Sequence, residues 1–421
     1  MNKNKSFIFF LLLTLLLLPF AQVSIRFFRM PVYLPELSLL FAAASFFIYG
    51  RRQSIRIRYP KKIYLIGAGL ILGGSIVSLF ANGITVQELG AFKSWIVFPL
   101  VFSFLLFQIG EDPRERYRML GAWFLGVAFT SLISLLPFFS FLATYDGRLR
   151  FFYPSPNHLA MFIVPGILIG IFFCMRTLFA EETNGKKEKK RGMLFAQLLV
   201  VGLMSLALVQ TASLGGRISA LTGMAALVFF LCLPRRMIRR SLFPLLSAGA
   251  ILCVALTVTV DWRGLASGEV RSSLGSRVMI WNTSLLLISE HPIAGIGMRN
   301  FQDAYLGAQP QFPSYMEWAV PHPHNIFFAF WLFTGLVGLV GFLALSCGLL
   351  RDLFRGIMRH SSKESACRSI NALFLSLFLA FLVFGVVDTP YFKNDLALSF
   401  WALVALATIP CGTKKSATVR G

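Results

Sequence analysis

The chain has 421 residues, 56% of them hydrophobic and only 14% charged, with a mean hydropathy of +0.71. That composition leaves too little polar surface for a water-soluble protein of this length. A net charge of +22 would suit nucleic acid, but lysine and arginine fall in short clusters between apolar runs, the pattern of cytoplasmic membrane-protein loops, so no nucleic-acid partner is expected.

Apolar runs near the length that crosses about 30 Å of hydrocarbon recur along the chain. They are continuous, as over 63–81, and do not alternate with period two, so they read as helices and not as barrel strands. The expected spans are 6–22, 33–50, 63–81, 94–110, 119–143, 158–177, 193–212, 217–233, 241–260, 325–350, 370–388 and 394–410. The first has a long apolar region and no small-x-small cleavage site after it, and reads as an uncleaved anchor. The fold class is therefore all-α: a polytopic membrane protein of about 12 transmembrane helices with one long, partly helical outer loop. Residues 1–260 carry helices 1–9, residues 261–324 the loop, and residues 325–421 helices 10–12 and a cytoplasmic tail.

Charge sets the orientation. With both termini in the cytoplasm, Lys3, Lys5, the basic residues of 51–62, 114–118, 186–191, 235–240 and 351–368, and Lys414-Lys415 all lie inside. The reverse orientation breaks the rule in nearly every loop. Cys174, Cys232, Cys253, Cys347, Cys367 and Cys411 sit in apolar runs or at their basic ends without CxxC or metal-ligand spacing, and read as packing residues with neither disulfide nor zinc.

Residues 261–324 contain no spanning segment and face outward, and a structureless loop of that length is improbable without a role. Val278, Ile280, Trp281, Leu285, Leu286 and Ile288 suggest an amphipathic helix, ended by His291-Pro292 and the glycine turn Gly295-Ile296-Gly297. The expectation is a cap on the outer membrane surface. The glycine pair is no dinucleotide fingerprint, since no strand precedes it.

Candidate chemistry gathers on this outer face. Pro321-His322-Pro323-His324-Asn325 stands where the loop re-enters the membrane, and a histidine there can be neutral at pH 7 and act as a general base. Interfacial histidines, or a histidine pair on a metal, are the plainer alternatives. Arg217, in Leu214-Gly215-Gly216-Arg217, enters a span from outside, where a guanidinium suits phosphate oxygens or snorkels toward headgroups. Arg277 opens the loop helix, with Arg263, Arg271 and Arg299 in the same loop and Arg148 and Arg150 in another, on a face otherwise poor in basic residues. The outer carboxylates Asp261, Glu269, Glu290, Asp303 and Glu317 show no glycosidase or metal spacing. Asp388 closes the eleventh span, where a helix-end role is simpler than orienting a histidine or pairing an arginine.

His324-Asn325 is followed by nine residues, 326–334, and then Gly335-Leu336-Val337-Gly338. This spacing, with Ser276-Arg277 to Trp281 and Pro292 to Phe301, resembles the O-antigen ligase family, within the group that includes O-antigen polymerases and protein O-oligosaccharyltransferases. Residue-level similarity runs from about Gly215 to Gly338. The resemblance implies a bacterial inner-membrane transferase whose donor is a glycan on undecaprenyl pyrophosphate and whose active site is periplasmic. Arg217 and Arg277 match the family's pyrophosphate arginines and His324 its base, with His322, Asn325, Gly335, Gly338 and Asp388 in support. No cofactor or metal is expected, since arginines can stabilise the leaving pyrophosphate, and a single displacement would invert the anomeric centre. Gly335 is eleven residues, about three helical turns, beyond His324, so both lie on one helical face, and with Gly338 it would let that helix pack closely on a neighbour and hold His324 in a fixed position. Three readings stand: a ligase acting on the lipid A–core oligosaccharide, a polymerase joining lipid-linked repeats, and a polytopic lipid or glycan transporter, for which no internal repeat is seen. The orientation predicts that reporter fusions after Arg58, Lys190 and Ser361 score cytoplasmic and those near Gln311 and Tyr391 external. An external score at Lys190 overturns the parity of every later span.

Overall fold

The computed structural model describes residues 5–27, 30–53, 57–136, 142–180, 187–238, 273–311, 320–359 and 365–410. The expected ninth span, 241–260, and the loop residues Asp261, Arg263, Glu269, Arg271 and Glu317 lie outside them. The regular elements among the described residues are helices and one two-stranded hairpin. The helices are α1 (Lys5–Leu16), α2 (Leu34–Gln53), α3 (Lys62–Ala81), α4 (Val86–Phe92), α5 (Phe98–Phe107), α6 (Pro113–Ser134), α7 (Pro156–Leu178) and α8 (Lys187–Gln210). They continue with α9 (Leu214–Cys232), α10 (Ser273–Glu290), α11 (Phe301–Ala308), α12 (Ile326–Arg359), α13 (Ser365–Val387) and α14 (Asn394–Thr408). Seven segments are long and apolar enough to cross a membrane, with α4 and α5 counted as one, and α1 and α14 are shorter apolar helices. A helix therefore occupies each expected span that falls among the described residues.

Local chemistry explains the helix starts. Asp112 before Pro113, Ser155 before Pro156, Ser213 before Leu214 and Thr85 before Val86 each accept a backbone N–H from the first turn through the side chain. The sequence reading missed two features. Ser24–Phe27 (β1) and Met30–Tyr33 (β2) pair antiparallel, with Ile25 opposite Val32, in a stretch expected to join two spans. Residues 93–97 form a π-helical turn that carries one continuous helix from α4 into α5, so the span begins at Val86 and not near 94. Arg116, expected in a cytoplasmic loop, is buried in the first turns of α6 and donates to the carbonyls of Ile409 and Pro410.

Helix α12 is the structural spine, and it lies against α3 at glycines. A Cβ at Gly74 would meet the backbone of Thr334 and Gly338, and one at Gly341 would stand 2.7 Å from the Gly67 carbonyl oxygen. The Gly338 backbone lies in this close contact because Gly74 carries no Cβ, whereas a Cβ on Gly338 itself would meet the Thr334 side chain of its own helix. Gly335 does something different, and the expectation of one continuous helical face through it is corrected. Its φ of 69° and ψ of 178° break α12, in a region open essentially to glycine alone. The loop after α10 docks at the break. Leu336 N–H donates to the Ile293 carbonyl at 3.0 Å, and Ile296 N–H donates to the Leu332 carbonyl at 2.7 Å. Backbone groups orphaned by the break are thereby satisfied by another segment. Gly295 approaches so closely that a Cβ would collide with the Leu332 carbonyl.

Gly335→Ala should therefore cost about 1–3 kcal/mol in backbone strain, before the collision of its Cβ with the Ile293 carbonyl. Melting in detergent should show a clear loss, against Gly69→Ala as control, a helical site where nothing stands within 4 Å of a new Cβ. Equal melting temperatures would contradict the docking of the loop at the break.

Candidate functional site

At one end of the bundle α13 stops at Val387, and the next residue, Asp388, is 1% exposed. A carboxylate at a helix C-terminus meets the wrong end of the macrodipole, and burial adds to the cost. It persists because donors surround it. Thr389 N–H donates to Oδ1 at 2.8 Å, Asn157 Nδ2 donates to Oδ2 at 2.9 Å, and His324 Nδ1 lies 3.1 Å from Oδ1. Burial alone would raise this carboxyl's pKa, but the neighbouring His324, its hydrogen bond, His322 and Lys393 outweigh that and hold it below the usual carboxylate range. Asp388 therefore does more than end a helix.

His324 is oriented from several sides. Its backbone is left-handed, with φ of 47°, a conformation in which histidine is enriched among non-glycine residues. Trp281 Nε1 donates to its carbonyl oxygen at 3.2 Å. Asn325 caps α12, with Oδ1 accepting from Phe327 and Phe328 N–H and Nδ2 donating to the Val386 carbonyl. With Nδ1–H donated to Asp388, Nε2 keeps its lone pair for a proton.

His322 packs edge-on against His324, ring centroids 4.4 Å apart, and its Nδ1 stands 3.8 Å from Asp388 Oδ1 without a hydrogen-bond partner. Burial, Lys393 and His324 push its pKa well below the ordinary histidine value, so it is neutral and weakly basic at pH 7. One nitrogen of each histidine and one Asp388 oxygen lie within 4.8 Å of one another, a set able to hold a metal ion that sequence spacing alone did not reveal.

Of the expected arginines, Arg277 reaches the same helix end. Arg277 Nε donates to the Val387 carbonyl at 2.9 Å. A Cβ on Gly215 would stand 3.1 Å from Val387 Cγ2, which places the first turn of α9 beside the same residue. Arg217, in that turn, is exposed and donates to the Val209 carbonyl at 3.1 Å. Arg148 donates to the Thr211 carbonyl and to Asn157 Oδ1, and so joins the set through Asn157.

On the other flank lies a cavity of about 320 Å³, lined among others by His158, Arg299, His322, Phe333 and Lys393. The sequence reading overlooked Lys393, whose pKa is lowered by burial against the pull of Asp388 and Asp395. Its signal was present: a lone lysine between two spans on the face expected to be poor in them. His158, buried in α7, bonds both Asp395 oxygens at 2.9 and 3.0 Å, and no spacing joins the two residues.

His322 supplies a pH test. Because its folded pKa is depressed, the unfolded chain binds more protons below about pH 6.5, and stability falls as pH drops from there. His322→Gln should flatten the acid limb of a melting-temperature profile in detergent. Parallel profiles for both proteins would contradict a neutral, half-buried His322.

Residues 199–343, 145 of the 421, match the family model described as O-antigen ligase. No curated protein matches the chain. The matched stretch holds Arg217, Arg277, His322, His324, Asn325, Gly335 and Gly338, while Asp388, Asn157 and Lys393 lie outside it.

Proposed function

We propose that the chain, which carries an O-antigen ligase domain, transfers a glycan from undecaprenyl pyrophosphate to the lipid A–core oligosaccharide on the periplasmic side of a bacterial inner membrane. The observation that carries this reading is the Asp388–His324 pair set beside Arg277 and the first turn of α9 at Val387. A general base oriented by a buried carboxylate adjoins the Arg277 guanidinium, a group suited to pyrophosphate.

In the proposed reaction His324 Nε2 takes the proton of an acceptor hydroxyl, whose oxygen attacks the anomeric carbon of the donor sugar. The bond from that carbon to the pyrophosphate oxygen breaks, and undecaprenyl pyrophosphate leaves with the electron pair. Arg217 and Arg277 stabilise the charge that develops on it. Asp388 holds the imidazole and favours the imidazolium that forms. Attack opposite the leaving group inverts the anomeric centre. Charge at the other end of the bundle supports the orientation, since Lys61, Arg116, Arg351 and Arg368 gather there.

A polymerase would use the same donor site and a second lipid-linked glycan as acceptor, and a deletion strain separates the two. A ligase deletion removes all long chains from lipopolysaccharide and leaves polymer on the lipid carrier, whereas a polymerase deletion leaves a single repeat on the core. Wild-type protein should restore the long chains. His324→Ala should lower transfer by a factor of at least about 10², and His322→Ala by much less. Arg217→Ala and Arg277→Ala should nearly abolish it, with Arg277→Lys recovering part, since an ammonium lacks the bidentate fork. Transfer that survives His324→Ala but fails in His322→Ala reverses the assignment.

The three clustered ligand atoms favour a second reading, a divalent cation at His322, His324 and Asp388. The two readings are exclusive at His324, because an Nδ1–H donated to Asp388 leaves no lone pair there for a metal. Purified protein should keep its activity in excess EDTA. Loss in EDTA, restored by one divalent ion, would establish the metal reading instead.

A further inference from the structure

The cavity beside His322 adjoins a second one, of about 370 Å³, and the two share Tyr33, Trp95, Arg299 and Asn394 in their walls. Both volumes fall in the range of ligand sites, roughly 300–1,000 Å³. The two cavities extend from His322 toward β2, and none of Arg148, Arg217 and Arg277 lines them. Their walls combine aromatic faces with amides, the pattern that takes sugar rings on their apolar faces and hydroxyls at their edges. No carboxylate lines either cavity among the described residues, whereas Arg299, Lys393 and His158 do.

The shared wall is built rigidly. The π-helical turn presents Trp95, whose Nε1 donates to Asn394 Oδ1 at 2.9 Å and whose carbonyl accepts from Tyr391 OH at 2.9 Å. Asn394 Nδ2 in turn donates to the Ala21 carbonyl. The hairpin side is tied by Lys93, which bonds Glu36 at 2.6 Å and the Pro31 carbonyl at 2.6 Å. Glu88, buried in α4, accepts the backbone N–H groups of Met298 and Arg299 at 3.1 and 2.8 Å, which fixes where Arg299 leaves the loop. The Arg299 guanidinium lies over the Trp95 ring, 5.9 Å from its centroid, and forms no ion pair among the described residues. A preorganised aromatic platform topped by a cation without an anionic partner among the described residues suits the recognition of a ring that carries a negative group.

We propose that these two adjoining cavities form the acceptor subsite and bind an oligosaccharide bearing a negative substituent, its ring on Trp95 and its phosphate or carboxylate on Arg299. This rests on the transfer reaction proposed above, and it divides the site. The leaving pyrophosphate lies on the Arg277 and α9 flank, the acceptor on the Trp95 flank, and the two histidines between them.

The test uses the full chain in detergent and calorimetric titration with a phosphorylated core oligosaccharide freed of its lipid. Arg299→Ala keeps the backbone N–H that Glu88 holds, so its fold is preserved where Trp95→Ala fails to accumulate. Each variant should bind the oligosaccharide at least about tenfold more weakly, with affinity for the lipid-linked donor unchanged. Removing the phosphate from the probe should weaken binding to the wild type but not to Arg299→Ala. The subsite is overturned if wild type does not bind the oligosaccharide, if Arg299→Ala keeps its affinity, or if the donor's affinity falls instead. Oligosaccharide binding here with no glycan transfer in reconstituted membranes contradicts the reaction and leaves the subsite standing.

Discussion

A single buried carboxylate organises the functional end of this molecule. Asp388 sits at the C-terminal end of an apolar helix, where both burial and the helix dipole oppose its charge. Satisfying it requires Asn157 from α7, Thr389 N–H and His324 from the loop before α12. Three separate segments are thereby brought to one point. Once His324 is held there, Asn325 caps the helix that follows, and the backbone of Val386 and Val387 is left to receive Asn325 and Arg277. The arginine flank and the histidine pair are consequences of the same requirement.

A second constraint holds the loop that faces the site. The break at Gly335 leaves backbone groups of α12 without helical partners, and residues 293–296 supply them. Asn82 Nδ2 and Trp331 Nε1 add bonds to the carbonyls of Gly295 and Pro292. The backbone N–H groups of Met298 and Arg299 are then held by Glu88, so the loop is tied at both the α12 break and the backbone of Arg299. This geometry gives the glycines at 295 and 335 complementary tasks, since each makes room for the carbonyl that meets the other's segment.

Much of this was legible in the sequence. Hydropathy marked the helices because each span must satisfy its backbone internally, and the loop helix followed from the spacing of Val278, Ile280 and Ile288. The His324 to Gly338 spacing pointed to the family whose model matches residues 199–343. The sequence was silent on contacts made across the bundle. Asn157 and Asp388 are 231 positions apart, and His158 and Asp395 are 237. Glu88 reaches the loop over a separation of 210. No periodicity reports such pairs, and a polar residue at a helix end has an adequate local explanation. The role of Gly335 was hidden for a related reason: a glycine in an apolar helix reads as a close-packing site, and only the partner loop shows it to be a break.

In the proposed reaction this end of the bundle joins a lipid-linked glycan to the lipid A–core. Purified protein should be reconstituted in liposomes with an undecaprenyl-pyrophosphate-linked glycan and lipid A–core. Glycan should then become covalently attached to the lipid A–core, with undecaprenyl pyrophosphate released in equal amount. Elongated glycan found only on the lipid carrier, with the core unmodified, would contradict the proposed reaction.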